Sequence, residues 1–561
     1  MTRPIPVLLL LLIFIAIPCA AVQITEFCPD TYLPEDADEY LVLSGVGSLD
    51  GVVISDGEGG FRFPTGASID GEIIIASHGT AYQAVHGTPP RYEWYDTSPF
   101  IEDVIRSGTL KLANKGDQLS LYHDQNRLVQ TVSWPEDVTA REGQVHYYDG
   151  TWDPRVLMLG QSRVLPVTCE GVRGTVFAAP DSSFSVFSDC VAGASSRILV
   201  NVYEFTSPRM ASLLGEARDR GVSVEVLLEG GPVGGISREE QGVIFSLNQS
   251  GIPVYLMTGE QEAHPPYRFD HAKYMVVDES RVFITSENFK DHGFPVPVAR
   301  GNRGWGAVLE SRELAEYFSG IFYHDSRGAW VDPASPADPG LPEDPVENSR
   351  YSPEFEPYGF DSARVTTVIS PDSSGLISDL IRSAEDRIDI EQAYITDRSP
   401  GQLNPYLAEA INASRRGVRV RVILDSSWYN VAEDTDNDEM VSNINRIAVE
   451  EALPLQARLA DLEGNNLMQV HNKGVIVDGR KVLISSINWN ENSPTFNREA
   501  GVIIEHPGVG AYFSEVFEDD WNSGRVETGG TPRPDYLKVG LAFAVLAVLA
   551  VYFTLRRRRV R

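Results

Sequence analysis

Lysine is scarce in this 561-residue chain: of 47 basic residues only seven are lysines, against 79 acidic ones, for a formal charge of −32. A surface of that sign opposes non-specific binding to nucleic acid, although a local basic cleft stays compatible with it. Cysteine is also rare, with four in all. No Cys/His spacing has the pattern of a zinc site. The acidic run Asp434-Thr435-Asp436-Asn437-Asp438 looks like a calcium loop but has Glu439 where glycine is needed and Asn445 where a bidentate glutamate is needed. It reads as a solvated loop, so no metal and no cofactor are expected. Long apolar runs are confined to the two ends.

The first end reads as a signal peptide, 1–21. Arg3 precedes an apolar run from Val7 to Ile17, and Cys19-Ala20-Ala21 offers a small-residue cleavage site. Its removal leaves Cys28, Cys169 and Cys190 in an exported, oxidising setting. A Cys169–Cys190 bond would close a short loop; no bond at all is the other option. Near the far end, residues 539–555 are uncharged and mostly apolar, about 25 Å long as a helix. Arg556 to Arg559 and Arg561 follow at once. The positive-inside rule makes 538–555 a transmembrane helix with 556–561 as its cytoplasmic arginine tail. A sorting tail that is later cleaved would have the same topology. Everything before a short stalk, 526–537, then lies on the extracytoplasmic side of the cell membrane, in a single-pass protein.

Between the ends the pattern changes twice. Residues 22–136 show short apolar runs, such as Tyr40-Leu41-Val42-Leu43 and Glu72-Ile73-Ile74-Ile75, bounded by Gly, Asp and Pro, with no helical period of length. That is the pattern of an all-β sandwich. Residues 137–172 read as a connector. Residues 173–328 and 363–525 then form an internal repeat. Pro180-Asp181-Ser182-Ser183 recurs as Pro371-Asp372-Ser373-Ser374, and Arg220-Gly221-Val222 as Arg416-Gly417-Val418. Each half alternates strands with helices that end at an Arg-Gly turn, an α/β layered arrangement. The segment 329–362 between them is rich in Pro and acid and reads as a linker.

Each half carries His-x-Lys-x-x-x-x-Asp: His271, Lys273 and Asp278, then His471, Lys473 and Asp478, 200 residues later. After the same gap come Ser286 and Asn288, then Ser486 and Asn488. Two imidazoles, two ammonium groups and two amides suit attack on a phosphodiester. A neutral imidazole is not repelled by the anion, and attack by one gives a phosphohistidine while the other moves the proton. Lysine and asparagine donors would hold the non-bridging oxygens as their charge grows.

This doubled motif resembles the phospholipase D superfamily, with Thr285 and Ser485 where that family commonly has glycine. The resemblance implies two halves about a pseudo-two-fold axis with the motifs meeting between them. It suggests His271 as nucleophile and His471 as acid/base, and Asp278 and Asp478 as braces of the motif strands. The family commonly has an acid that orients a catalytic histidine; Glu499, in Asn497-Arg498-Glu499, fits that place and is assigned to His471. The aligned first-half stretch, Asn302-Arg303-Gly304, has no acid, so His271 lacks one or takes it from Glu287 or Asp291. The N-terminal residues Ile24-Thr25-Glu26-Phe27 and Leu112-Ala113-Asn114-Lys115-Gly116-Asp117 look like a lamin-tail domain, which implies an immunoglobulin-like sandwich with an unknown ligand.

The expectation is an exported, membrane-anchored phosphodiesterase of the phospholipase D type, monomeric because one chain holds both motifs. Its substrate is a phospholipid or a nucleic acid; the acidic surface favours lipid or small diesters, with an extracellular nuclease as the alternative. Lipid synthesis is disfavoured because the site faces away from activated cytoplasmic donors. A non-catalytic surface-binding protein is the reading of another class, and the complete histidine and lysine pairs argue against it.

Overall fold

The computed structural model describes residues 22–523, except 125–126, 140–141, 260–263, 297–298, 340–350, 398–400 and 433–435. The leader 1–21, the stalk, the span 538–555 and the arginine tail lie outside the described residues, as does Asp434. Among the described residues no helix is long and apolar enough to cross a membrane.

The N-terminal region is a sandwich of a seven-stranded and a five-stranded sheet. Gln23–Cys28, Tyr40–Ser48 and Ser68–His78 pair antiparallel in the first, and Lys115–His123 and Arg127–Thr139 in the second. Strand periodicity turns alternate residues inward. Phe27, Leu41, Leu43, Ile54, Trp94 and Leu121 form the core between the sheets. Two details depart from the sequence reading. A helix, Gly79–His86, interrupts the strands. Gln144–Tyr147 and Leu157–Met158, inside the segment read as a connector, extend the seven-stranded sheet. Four and two residues are too few to show a period.

The rest of the chain builds one continuous sheet of fifteen strands. Its halves join where Thr168–Ala179 runs antiparallel to Tyr358–Ser370. Going outward from this seam, the first half lays down Gly304–Glu310, Arg281–Thr285, Lys273–Val277, Arg197–Val202, Ser223–Glu229 and Val254–Met257. The second repeats that order with Glu499–Glu505, Lys481–Ser485, Lys473–Val477, Arg387–Gln392, Arg419–Leu424 and Leu455–Leu459. Parallel neighbours require a crossover, supplied by the helices Pro208–Asp219 and Pro405–Arg415. Ser207 and Asn404 cap their N-termini, and Gly221 and Gly417, at φ +93° and +99°, turn the chain back after them. One strand breaks the match. Val331–Pro333, at the start of the segment read as a linker, adds to the edge of Val254–Met257.

A shared core joins the halves. Leu199, Tyr274 and Trp305 pack with Ile476, Val502 and Phe513, and the Trp305 and Phe513 rings lie 4.6 Å apart. Each half also has its own outer core. Cys28, Cys169 and Cys190 are all free and buried. The Cys169–Cys190 bond does not form, because Cys169 belongs to the shared core and Cys190 to the outer core of the first half.

Candidate active site

The motif strands Lys273–Val277 and Lys473–Val477 are buried along their whole length. Just before each, the backbone crosses to the other half. His271 N–H donates to the Arg498 carbonyl at 2.8 Å, and Arg498 N–H to that of Phe269 at 2.9 Å. The counterpart is His471 N–H to Arg303 at 2.9 Å, with Arg303 N–H to Gln469 at 2.8 Å. The two arginines are fully buried and paired across the seam. Arg498 Nε reaches Asp325 at 2.7 Å, and Arg303 Nε reaches Asp520 at 2.7 Å. An isolated buried charge would be very costly, so each forked pair fixes the register of the halves.

These crossings decide the carboxylate partners. Glu499 Oε2 lies 2.8 Å from His271 Nδ1. Glu287 Oε1 lies 3.2 Å from His471 Nδ1. The assignment of Glu499 to His471 is therefore wrong: the residue after Arg498 faces the histidine that Arg498 holds, and that histidine is His271. Asp291 serves neither ring; it accepts from the Ser207 hydroxyl at 2.6 Å. Equivalent asparagines steady both acids. Asn302 Nδ2 donates to Glu287 at 2.9 Å, and Asn497 Nδ2 to Glu499 at 3.1 Å.

The imidazoles are 12% and 20% exposed and the two carboxylates essentially buried. Burial pushes both histidines down to about 4, so both are neutral at pH 7. With Nδ1–H given to a carboxylate, Nε2 of each ring is left for a substrate. Burial alone would raise the Glu287 carboxyl, but His471 and Lys473 hold it below its ordinary value. Lys273 Nζ donates to the His271 carbonyl at 2.8 Å and Lys473 Nζ to the His471 carbonyl at 2.6 Å. Burial pulls these ammonium groups down to about 7 and about 8. An anion between them would restore their charge. Asn288 lines a cavity of about 270 Å³ beside His471.

The description "Cardiolipin synthase, PLD-like domain" matches residues 188–326 and 377–521, about half of the chain. The chain belongs to the phospholipase D superfamily. It is similar to the mitochondrial cardiolipin hydrolase of Chlamydomonas reinhardtii, 28% identical over 153 residues, covering 27% of this chain and 59% of that protein. The mouse mitochondrial cardiolipin hydrolase is 29% identical over 160 residues, 27% of this chain and 66% of its own. The chain thus spans less than two thirds of either relative. The crystal structure of phosphatidylserine synthase from Haemophilus influenzae Rd KW20 superposes with a TM-score of 0.45 at 15% identity, covering 62% of this chain and 85% of that one.

Within this phospholipase D fold the motif aspartates stand apart from the rings. Asp278 and Asp478 follow the motif strands in tight turns, with φ +56° and +52°. Asp278 accepts from the backbone of Ser195, Ser196 and Arg197, and Asp478 from Glu385, Asp386 and Arg387. Burial would raise both carboxyls, but these N–H groups hold them below the ordinary range. They tie each motif hairpin to the start of the next strand, as braces do. The buried arginines escaped the sequence reading, although the recurring Asn302-Arg303 and Asn497-Arg498 was their signal. Glu204 escaped it too; its carboxylate accepts from Asn288 at 3.1 Å and pairs with Lys290 at 2.6 Å.

Proposed function

We propose that this chain is an exported, membrane-anchored phosphodiesterase of the phospholipase D type that cleaves phospholipids or related diesters through a phosphohistidine. The observation that carries it is the reciprocal pairing of His271 with Glu499 and His471 with Glu287 across one seam. Neither a scaffold nor a binding surface needs two buried acids aimed at the Nδ1 atoms of two neutral imidazoles.

His271 Nε2 attacks phosphorus and the bond to the leaving oxygen breaks. His471, made cationic by the bound anion and by Glu287, gives its Nε2 proton to that oxygen. It then takes a proton from water, whose oxygen displaces His271 from phosphorus. Lys273, Lys473, Asn288 and Asn488 hold the non-bridging oxygens meanwhile. Glu499 steadies the cationic His271 of the intermediate. The names of the relatives and the acidic surface support a lipid diester. The N-terminal leader pattern and the apolar stretch before the arginine tail support export and a single membrane span.

The test is turnover in EDTA on an aryl phosphodiester, phosphatidylcholine and single-stranded DNA, by the wild type and His271→Ala. Cleavage of the aryl diester and the lipid, lost in the variant, is expected. Preference for DNA would replace the lipid reading with a nuclease. No turnover on any of the three would overturn the proposal.

A further inference from the structure

Two loops flank the histidines, and each is tied down by the carboxylate that also holds the residue before its histidine. Glu229 accepts from Gly231 N at 2.7 Å and from Asp270 N at 2.6 Å. Asp425 accepts from Ser427 N at 3.0 Å and from Val470 N at 2.6 Å. The loops that follow, 230–236 and 426–431, therefore stand at equivalent places on either side of the cleft. Both put apolar side chains into solvent. Val233 is 80% exposed and Trp428 77%.

Each exposed residue is linked to a ring that borders the site, Val233 through its backbone and Trp428 through its neighbour. Val233 N–H donates to the Tyr203 hydroxyl at 2.7 Å, and the Tyr203 ring meets His271 edge-on at 4.7 Å between centroids. Trp428 sits edge-on to Tyr429 at 5.7 Å, and Tyr429 lines the cavity that contains His471. A turn from Gly235 N to the Pro232 carbonyl at 2.7 Å, with Gly234 and Gly235 at positive φ, puts Val233 at its tip. Charged residues are 22% of the chain, yet neither loop has one.

We propose that these two loops dock the cleft mouth onto a zwitterionic lipid surface, with Trp428 and Val233 entering the interface. Indole, with an apolar body and a polar N–H, suits the boundary of a bilayer. An aliphatic tip such as Val233 has no role in stacking on nucleobases but partitions readily into lipid. The excess of acidic over basic residues disfavours anionic membranes, which argues for an electrically neutral headgroup class. The proposal rests on the lipid reading given above. It adds that the lipid is reached from an interface, not as a dissolved monomer.

Trp428 is the one exposed tryptophan of the eight, and residues 539–555 contain none. Fluorescence of the full chain therefore reports this contact directly. Phosphatidylcholine vesicles with brominated acyl chains are expected to quench the wild type and to leave Trp428→Phe unquenched. On phosphatidylcholine vesicles the Trp428→Ser, Val233→Ser double variant is expected to lose tenfold or more in turnover, while its rate on a soluble aryl diester stays within twofold. Equal quenching of wild type and Trp428→Phe, or equal losses on both substrates, would overturn the docking. So would a selective loss on single-stranded DNA, which would make the loops a base-stacking surface. A wild type that is quenched but cleaves no diester would overturn the proposed activity and leave the docking standing.

Discussion

In the first half the acid that meets an imidazole comes from within Ser286-Glu287-Asn288. In the second that middle place is Ile487, buried in the outer core, and the acid is Glu499 on the next strand. The first half has Gly304 at the place of Glu499, and a β-carbon there would come within 2.4 Å of Glu287 Oε1. The glycine is the room that Glu287 occupies. Asn302 and Asn497, at equivalent positions, receive the two acids alike. What is held constant between the halves is a point in space one hydrogen bond from Nδ1. The sequence position that fills it is free to change if its neighbour makes way.

The most severe way to test the equivalence of the halves is to remove either imidazole. His271→Ala and His471→Ala are each expected to lower kcat/KM by roughly 10⁴-fold or more. The variant that still accumulates a phosphohistidine on a substrate with a good leaving group identifies the missing ring as the acid/base. Retention of the adduct in His271→Ala would exchange the roles.

The next test moves the acid. Glu287→Ile alone is expected to cost roughly 10²–10³-fold in kcat, by loss of the group that orients His471. Gly304→Glu alone is expected to fail as well, because two carboxylates then compete for one site. Together they copy the layout of the second half, and kcat is expected to return to within about tenfold of wild type, a coupling that independent sites would not show. Additive losses in the double variant would break the comparison.

The pH profile separates the two lysines. Attack needs a neutral His271, so kcat/KM rises with pH as that ring loses its proton near 4, while His471 takes up its proton when the anion binds. Ammonium groups are needed for the oxygens, so activity falls as pH rises through about 7, where Lys273 is the first to lose its charge. Arginine keeps its charge throughout this range. Lys273→Arg is expected to move the basic limb toward about 8, the value of Lys473, while Lys473→Arg leaves the limb near 7. Limb positions from kcat/KM profiles decide this even if both variants are slow.

The smallest expected difference concerns the braces. Asp278 accepts from two serine hydroxyls in addition to backbone, and Asp478 does not. Asp278→Asn is expected to cost about 1–2 kcal/mol of stability and Asp478→Asn less. A matched pair of thermal melts reads the difference, with kcat of the folded protein little changed in both.

The motifs, the repeat and the strand-rich N-terminal region were legible because each is carried by spacing or period, which a sequence displays directly. The partner of Glu499 was not. Aligning the halves assigns the acid to its own half, and only the crossing backbone, with His271 N–H on the Arg498 carbonyl, reverses that. Arg303 and Arg498 were visible only as a recurring Asn-Arg pair, because the aspartates they meet lie over a hundred residues away in the other half. Val331–Pro333 and Gln144–Tyr147 are too short to show alternation and are strands because a waiting sheet edge pairs with them.

Each half holds an imidazole and an acid that never meet one another; they meet those of the other half. Two copies of a single half, arranged about a true two-fold axis, would satisfy the same pattern, every ring finding its acid on the facing copy. The chain is in this sense a dimer made covalent. Mixing the halves as separate polypeptides would test whether each ring can recruit its acid from a partner that is not covalently attached.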